Sequence, residues 1–125
     1  MKKDIASRED LLLLVTRFYD KLLADPSISY IFTDVAKIDL AHHLPVLVDF
    51  WDNILFGSDS YRKNAMQPHL DLHARTPLED HHFTTWLHYF RQTVEELFDG
   101  PKAFLAVERA TSIATVMKIK VKQMR

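Results

Sequence analysis

Leu11, Leu14, Val15, Phe18, Leu22 and Leu23 recur at spacings of three and four, the repeat of a single helix face, and Ser7 stands before them with Asp10 three residues on. A serine able to accept an amide hydrogen bond and an acidic first turn both favour a helix start, so the pattern predicts an amphipathic helix ending near Asp25-Pro26. The following stretch carries Ile28, Tyr30, Ile31 and Phe32 between Pro26 and Asp34. It is too short for a packed helix, and it reads as a connector of a single turn with Phe32 buried.

A longer periodic segment follows from Asp39 to Phe56, with Leu40, His43, Leu44, Leu47, Phe50, Trp51 and Leu55 on one broad face. Pro45 lacks an amide hydrogen and clashes with the carbonyl four residues earlier, so the regular helix is expected to begin close to residue 44 or to kink there. In either case His42 and His43 sit near its start. From Gly57 the chain is polar loop, and a short helix around Ala65-Met66-Gln67-Pro68-His69-Leu70-Asp71-Leu72 is expected to break at Arg75-Thr76-Pro77. The next helix runs over about residues 78–98, with Phe83, Trp86, Leu87, Phe90, Val94 and Leu97 inward, and Asp99-Gly100-Pro101 stops it and opens another. Phe104, Leu105, Val107, Ala110, Ile113, Ala114, Met117 and Val121 mark the apolar face of that closing helix.

Only two glycines and five prolines occur in 125 residues, and both glycines fall where a helix should stop, which favours an all-α chain. The length suits one domain, residues 1–125, with no repeat or linker to divide it. A net charge of −1 gives no electrostatic case for nucleic acid or an anionic membrane, and no apolar run is long enough to span a bilayer. Charged residues follow Met1 too closely for a signal segment, so a cytoplasmic protein is expected. The absence of cysteine excludes a disulfide scaffold, a thiol nucleophile and a thiolate-bound metal, leaving nitrogen and oxygen ligands.

Seven histidines, at 42, 43, 69, 73, 81, 82 and 88, then become the chemistry to explain. For any one of them a surface or helix-end position is the ordinary reading. His42, His81 and His88 fit that description, and His82 reads as structural, tying the start of its helix to a neighbour. His69 and His73 lie four apart and would share a helix face, the spacing of a paired-histidine iron or zinc site, although acidic partners at matching positions are missing. A third reading sets His43 and His69 on facing helices with an apolar slot between them, lined by Phe32, Leu47, Trp51, Met66, Leu70, Leu72, Phe83, Trp86 and Phe90. One neutral imidazole, an apolar crevice and polar groups opposite are the requirements of a haem pocket.

The order Phe18-Tyr19, Ile31-Phe32, His43 eight residues before Trp51 in a Phe-Trp pair, Tyr61, Pro68-His69-Leu70-Asp71-Leu72-His73, and His82-Phe83-x-x-Trp86-Leu87-x-x-Phe90 resembles the group III truncated haemoglobins over nearly the whole chain. The resemblance implies a two-over-two helical sandwich around haem b, an iron protoporphyrin, with His69 as the iron ligand. It puts Tyr19, His43 and Trp86 on the distal side, Phe18 and Leu47 shaping the ligand cavity, Phe32 against the porphyrin and Trp51 deeper under the same face. Arg75 is the expected propionate partner, with Met66, Leu72, Phe83 and Phe90 completing the pocket.

Such a protein would bind O2, NO, CO or cyanide, and by analogy it could carry out NO-detoxifying or peroxidase-like chemistry with electrons from a reductase. Two other readings stay open on residues alone. One is a non-haem iron or zinc protein using His69, His73 and one of His42, His43, His81 or His82. The other is a structural helical module whose histidines are incidental.

Overall fold

Ser7 begins the first helix as its spacing predicts: its Oγ accepts the Asp10 amide at 3.2 Å, and α1 spans Arg8–Ala24. The computed structural model describes residues 2–57, 73 and 76–123. After α1 come α2 (Pro26–Tyr30), a π-helical turn (Ile31–Val35), α3 (Leu40–Phe56), α4 (Asp80–Leu97) and α5 (Pro101–Gln123). No strand occurs among the described residues. The expected loop and short helix between Gly57 and His73 lie outside them.

The connector after α1 is more ordered than its length suggested. Asp25 ends α1 and its carboxylate caps α2 by accepting the Ser27 amide at 2.9 Å, while Tyr89 Oη on α4 donates to the other oxygen at 2.6 Å. The Tyr89 hydroxyl and the Ser27 donors hold the Asp25 carboxyl below its ordinary range. The π-helical turn follows, with the Ala36 amide donating to the Ile31 carbonyl at 2.8 Å. Ile31 points into the core, whereas Phe32, expected to be buried, is half-buried.

The expected start close to residue 44 is not what is found: α3 runs through Pro45 from Leu40, with the Asp39 carboxylate accepting the Ala41 amide at 3.0 Å. Ala41, whose carbonyl loses its helical donor, and Pro45 both face solvent, so water can take the missing bond. Gly57 ends α3 at φ +69°, a left-handed conformation suited to glycine.

α1 packs on α3, α4 packs on α5, and α1 also meets α4, so a helix pair from the first half of the chain lies over a pair from the second. Leu11, Leu14, Phe18 and Leu22 of α1 meet Trp51 and Leu55 of α3, Phe90 and Val94 of α4, and the α5 seam in one continuous core. That seam corrects the expected apolar face. Ala103, Ala106, Ala110, Ala114, Met117 and Val121 point inward, and Phe104 is 65 % exposed. Alanine lets α5 approach its neighbours closely, and a larger side chain on that face would hold them apart.

Ahead of α1, Ile5 inserts into the core and Asp4 reaches the start of α5. Its carboxylate accepts the Lys102 and Ala103 amides at 2.9 and 2.8 Å, capping α5 from a distance of almost a hundred residues in sequence. The Asp99 amide donates to the Lys3 carbonyl at 2.9 Å beside it.

Candidate functional site

Where the two helix pairs meet, the core opens into a cavity of about 520 Å³. α1 contributes Val15, Phe18 and Tyr19, and α2 with the π-helical turn contributes Ile28, Ile31 and Phe32. Val46, Leu47, Phe50 and Trp51 come from α3, Phe83 and Trp86 from α4, and Ile113, Ala114 and Met117 from α5. A largely apolar wall with a few convergent polar groups is the form of a cofactor pocket.

Tyr19 and His43 are the first of those polar groups. Tyr19 Oη and His43 Nε2 share a hydrogen bond of 2.8 Å, and their rings meet edge-on at 5.2 Å. Tyr19 is buried, and burial pushes its hydroxyl well above the ordinary tyrosine range, so it stays a neutral donor at any ordinary pH. Phe32 packs against one side of it at 5.5 Å and Phe18 against another at 5.6 Å. These contacts fix the phenol ring.

Trp86 supplies the third polar group. Its ring lies edge-on to Phe18 at 5.6 Å and stacks on Phe90 at 5.7 Å. Among the described residues no acceptor meets its indole N–H, and no fully buried side-chain nitrogen or oxygen lacks a partner, so that N–H faces accessible space. Phe90 was expected in the cavity wall. It is fully buried behind it, stacked between Trp86 and Trp51, with the Trp51 ring 4.9 Å away. Phe90 therefore backs the two tryptophans that do line the cavity.

His82 also reaches the wall, and its hydrogen bonds define its tautomer. Nδ1 accepts the Glu79 amide at 2.9 Å, so the ring proton is on Nε2 and donates to Tyr30 Oη at 3.0 Å. Burial first, and His81 second, hold its pKa below the ordinary value against the opposing pull of Glu79. A neutral, doubly bonded imidazole closes the cavity next to Leu78 and Phe83 and pins the start of α4 to α2, as expected for a structural histidine.

The expected site residues divide in three. Phe18, Tyr19, Phe32, His43, Leu47, Trp51, Phe83 and Trp86 share the one cavity, Phe90 supports it, and His69, Met66, Leu70, Leu72 and Arg75 lie outside the described residues. His73 accepts the Leu78 amide on Nδ1 at 2.9 Å. His42, His81 and His88 are exposed. No group of three or more metal-ligating side chains occurs among the described residues. Ile28, Ile31, Ile38, Ile113 and Met117 were not anticipated in the wall. Ile113 and Met117 were legible only as one face of the closing helix.

Comparison with known proteins gives a consistent picture. Residues 3–121 match the family of bacterial-like globins. Over 118 residues, 92% of this chain and 91% of the other, the sequence is 25% identical to the group 3 truncated hemoglobin of Campylobacter jejuni. The fold superposes on the crystal structure of a group III truncated hemoglobin from Campylobacter jejuni with a TM-score of 0.85, at 22% identity and covering 97% of this chain and 95% of that one. The cavity suits a flat tetrapyrrole: its volume falls within the range of cofactor sites, its walls are mostly aromatic and aliphatic, and Tyr19 and His43 meet at its wall.

Proposed function

The chain belongs to the bacterial-like globin family, and from that premise we propose that it is a haem-binding globin of the group III truncated type that takes a diatomic ligand at Tyr19, His43 and Trp86. The observation that carries this reading is the 2.8 Å Tyr19–His43 hydrogen bond set into an otherwise apolar cavity. Phe32, Leu47, Trp51, Phe83 and Met117 would hold haem b. His69 is the proposed iron ligand, because the His73 ring is already engaged by the backbone amide of Leu78. Arg75 is the proposed propionate partner.

When bound, haem iron would supply the binding position for O2, NO, CO or cyanide and would pass electron density onto O2. The chain's own part is to place donors where that density develops. Tyr19 offers an O–H kept neutral by burial, and Trp86 offers an N–H with no competing acceptor among the described residues. His43 sets the direction of the Tyr19 hydroxyl: if its Nε2 carries the proton, the Tyr19 oxygen accepts and its own hydrogen is turned to the ligand. Phe18 and Phe32 keep water and alternative rotamers away from that pair.

Strong donors slow ligand release, so this site suits holding and transforming a ligand better than delivering it. The proposed roles are therefore NO detoxification or peroxidase-like chemistry, with a reductase as electron source. The test of the haem reading is the absorption spectrum of the purified protein, as isolated and after haemin addition. A sharp Soret band that shifts when CO is added to the reduced form is expected. Absence of a Soret band even with excess haemin would overturn the reading.

A further inference from the structure

On the outer side of α4 and α5 lies a second recess of about 280 Å³, with Phe83, Leu87 and Ala114 as its floor. Thr84, His88, Arg91, Thr115 and Lys118 form its rim, and among the described residues no carboxylate lines it. The register of the two helices sets where the cations stand. α4 and α5 run antiparallel, and Lys122 Nζ meets Asp80 Oδ2 at 3.4 Å across their open end. One turn inward on each helix brings Lys118 beside Thr84, whereas Arg91 stands about 10 Å further along α4 at the rise of an α-helix.

Arg91 and Lys118 have no carboxylate partner among the described residues, in a chain whose formal net charge is −1. An apolar trough with a cation at each end attracts an anion and rewards burial of an apolar body. The guanidinium fork matches a carboxylate better than an ammonium does, and a lysine stem can lie over hydrocarbon while its charge stays in water.

We propose that this recess binds a small amphipathic carboxylate of the medium-chain fatty acid class. The carboxylate pairs with Arg91, with His88 one turn away, and the hydrocarbon runs over Phe83, Leu87 and Ala114 toward Lys118. Phe83 and Ala114 also belong to the wall of the central cavity, so the two sites are separated by a single layer of side chains.

Octanoate, which when extended is about as long as the trough, is the probe. Calorimetric titration of the purified protein is expected to give saturable binding that weakens about tenfold in Arg91→Gln, as for loss of one charge-assisted hydrogen bond. The uncharged octan-1-ol should be weaker by a similar factor. Thr115→Trp, which fills the trough from an exposed position, should abolish binding while leaving the melting temperature unchanged. No saturable heat, undiminished affinity in Arg91→Gln, or undiminished affinity in Thr115→Trp would each overturn the proposal. The last of these would put octanoate in the central cavity instead.

Discussion

The imidazole of His73 accepts the amide proton of Leu78 on Nδ1, 2.9 Å away, which leaves its own proton on Nε2. A protonated ring nitrogen does not coordinate a metal, so this histidine is withdrawn from the paired-histidine site that its spacing from His69 allowed. His69→Ala is expected to lose or alter the Soret band of the haemin-loaded protein. His73→Ala should keep the band and lose about 1 kcal/mol of stability, measured by urea unfolding. An intact Soret band in His69→Ala together with its loss in His73→Ala would reverse the assignment.

Tyr19→Phe removes the O–H that His43 orients and leaves the ring packing with Phe18 and Phe32 in place. A hydrogen bond to a charged acceptor contributes about 1.5–3 kcal/mol, which corresponds to roughly ten- to a hundredfold faster O2 dissociation. Stopped-flow ligand displacement measures it. An unchanged rate would mean that Trp86 or His43 alone holds the ligand.

Because burial holds the pKa of His82 below its ordinary 6.5, the unfolded chain takes up a proton before the folded protein does. The stability linked to this group is complete above pH 6.5 and is lost as pH falls from there toward the folded-state value. Protonation would also break the Glu79 N–H···Nδ1 bond that caps α4. Urea midpoints measured from pH 8 to pH 5 should fall more steeply in the wild type than in His82→Ala, which at pH 8 should be less stable by about 1–3 kcal/mol. Parallel pH profiles would show that His82 does not titrate in this way.

Asp4→Ala should cost about 1–2 kcal/mol, since it removes the acceptor for two amides at the start of α5. Burial alone would raise the Asp4 pKa, but the Lys102, Ala103 and Ile5 amides and the Lys102 charge together bring it below 3.8. Its contribution is thus present above pH 3.8 and lost as pH falls through the lowered value. Gly100→Ala should be as damaging at neutral pH. Gly100 has φ +148°, and a Cβ there would come within 2.5 Å of Asp4 Cγ. Melting temperatures of both variants near neutral pH are the check, and a Gly100→Ala protein as stable as wild type would show that the corner can relax.

If the cavity serves NO detoxification, the reduced haem-loaded protein should consume NO in the presence of O2 and an electron source faster than free haemin does. Consumption measured with an NO electrode at the haemin rate would remove that role and leave ligand binding.

The parts of this fold that depend on neighbours in sequence were legible in it. Ser7 capping α1, the break at Asp99-Gly100-Pro101 and the hydrogen bond of His82 to the Glu79 amide all rest on contacts made within a few residues. The meeting of Tyr19 with His43 joins two helices, and spacing alone does not carry it; it followed from the order of motifs along the chain. Other features were hidden because they are settled by tertiary packing. Hydrophobicity put Phe104 on the inner face of α5, but the close approach of its neighbours selects alanines there. The partnership of Asp4 with Lys102 and Ala103 has no local signature, and the π-helical turn at Ile31–Val35 accommodates Phe32 beside Tyr19 rather than following any periodicity.

Pro45 has one more consequence for the cavity. The Asp39 carbonyl receives the amides of His42 and His43, but the Ala41 carbonyl receives none from residue 45, so the opening turn of α3 is joined to the rest of the helix by one rung fewer. Local opening of that turn is correspondingly easier than opening of the helix beyond it, and its amides should exchange with deuterium sooner than those around Trp51. The Tyr19 hydroxyl of α1, bonded to His43 in that turn, ties it to a second helix and so supplies from outside a restraint that the missing rung does not.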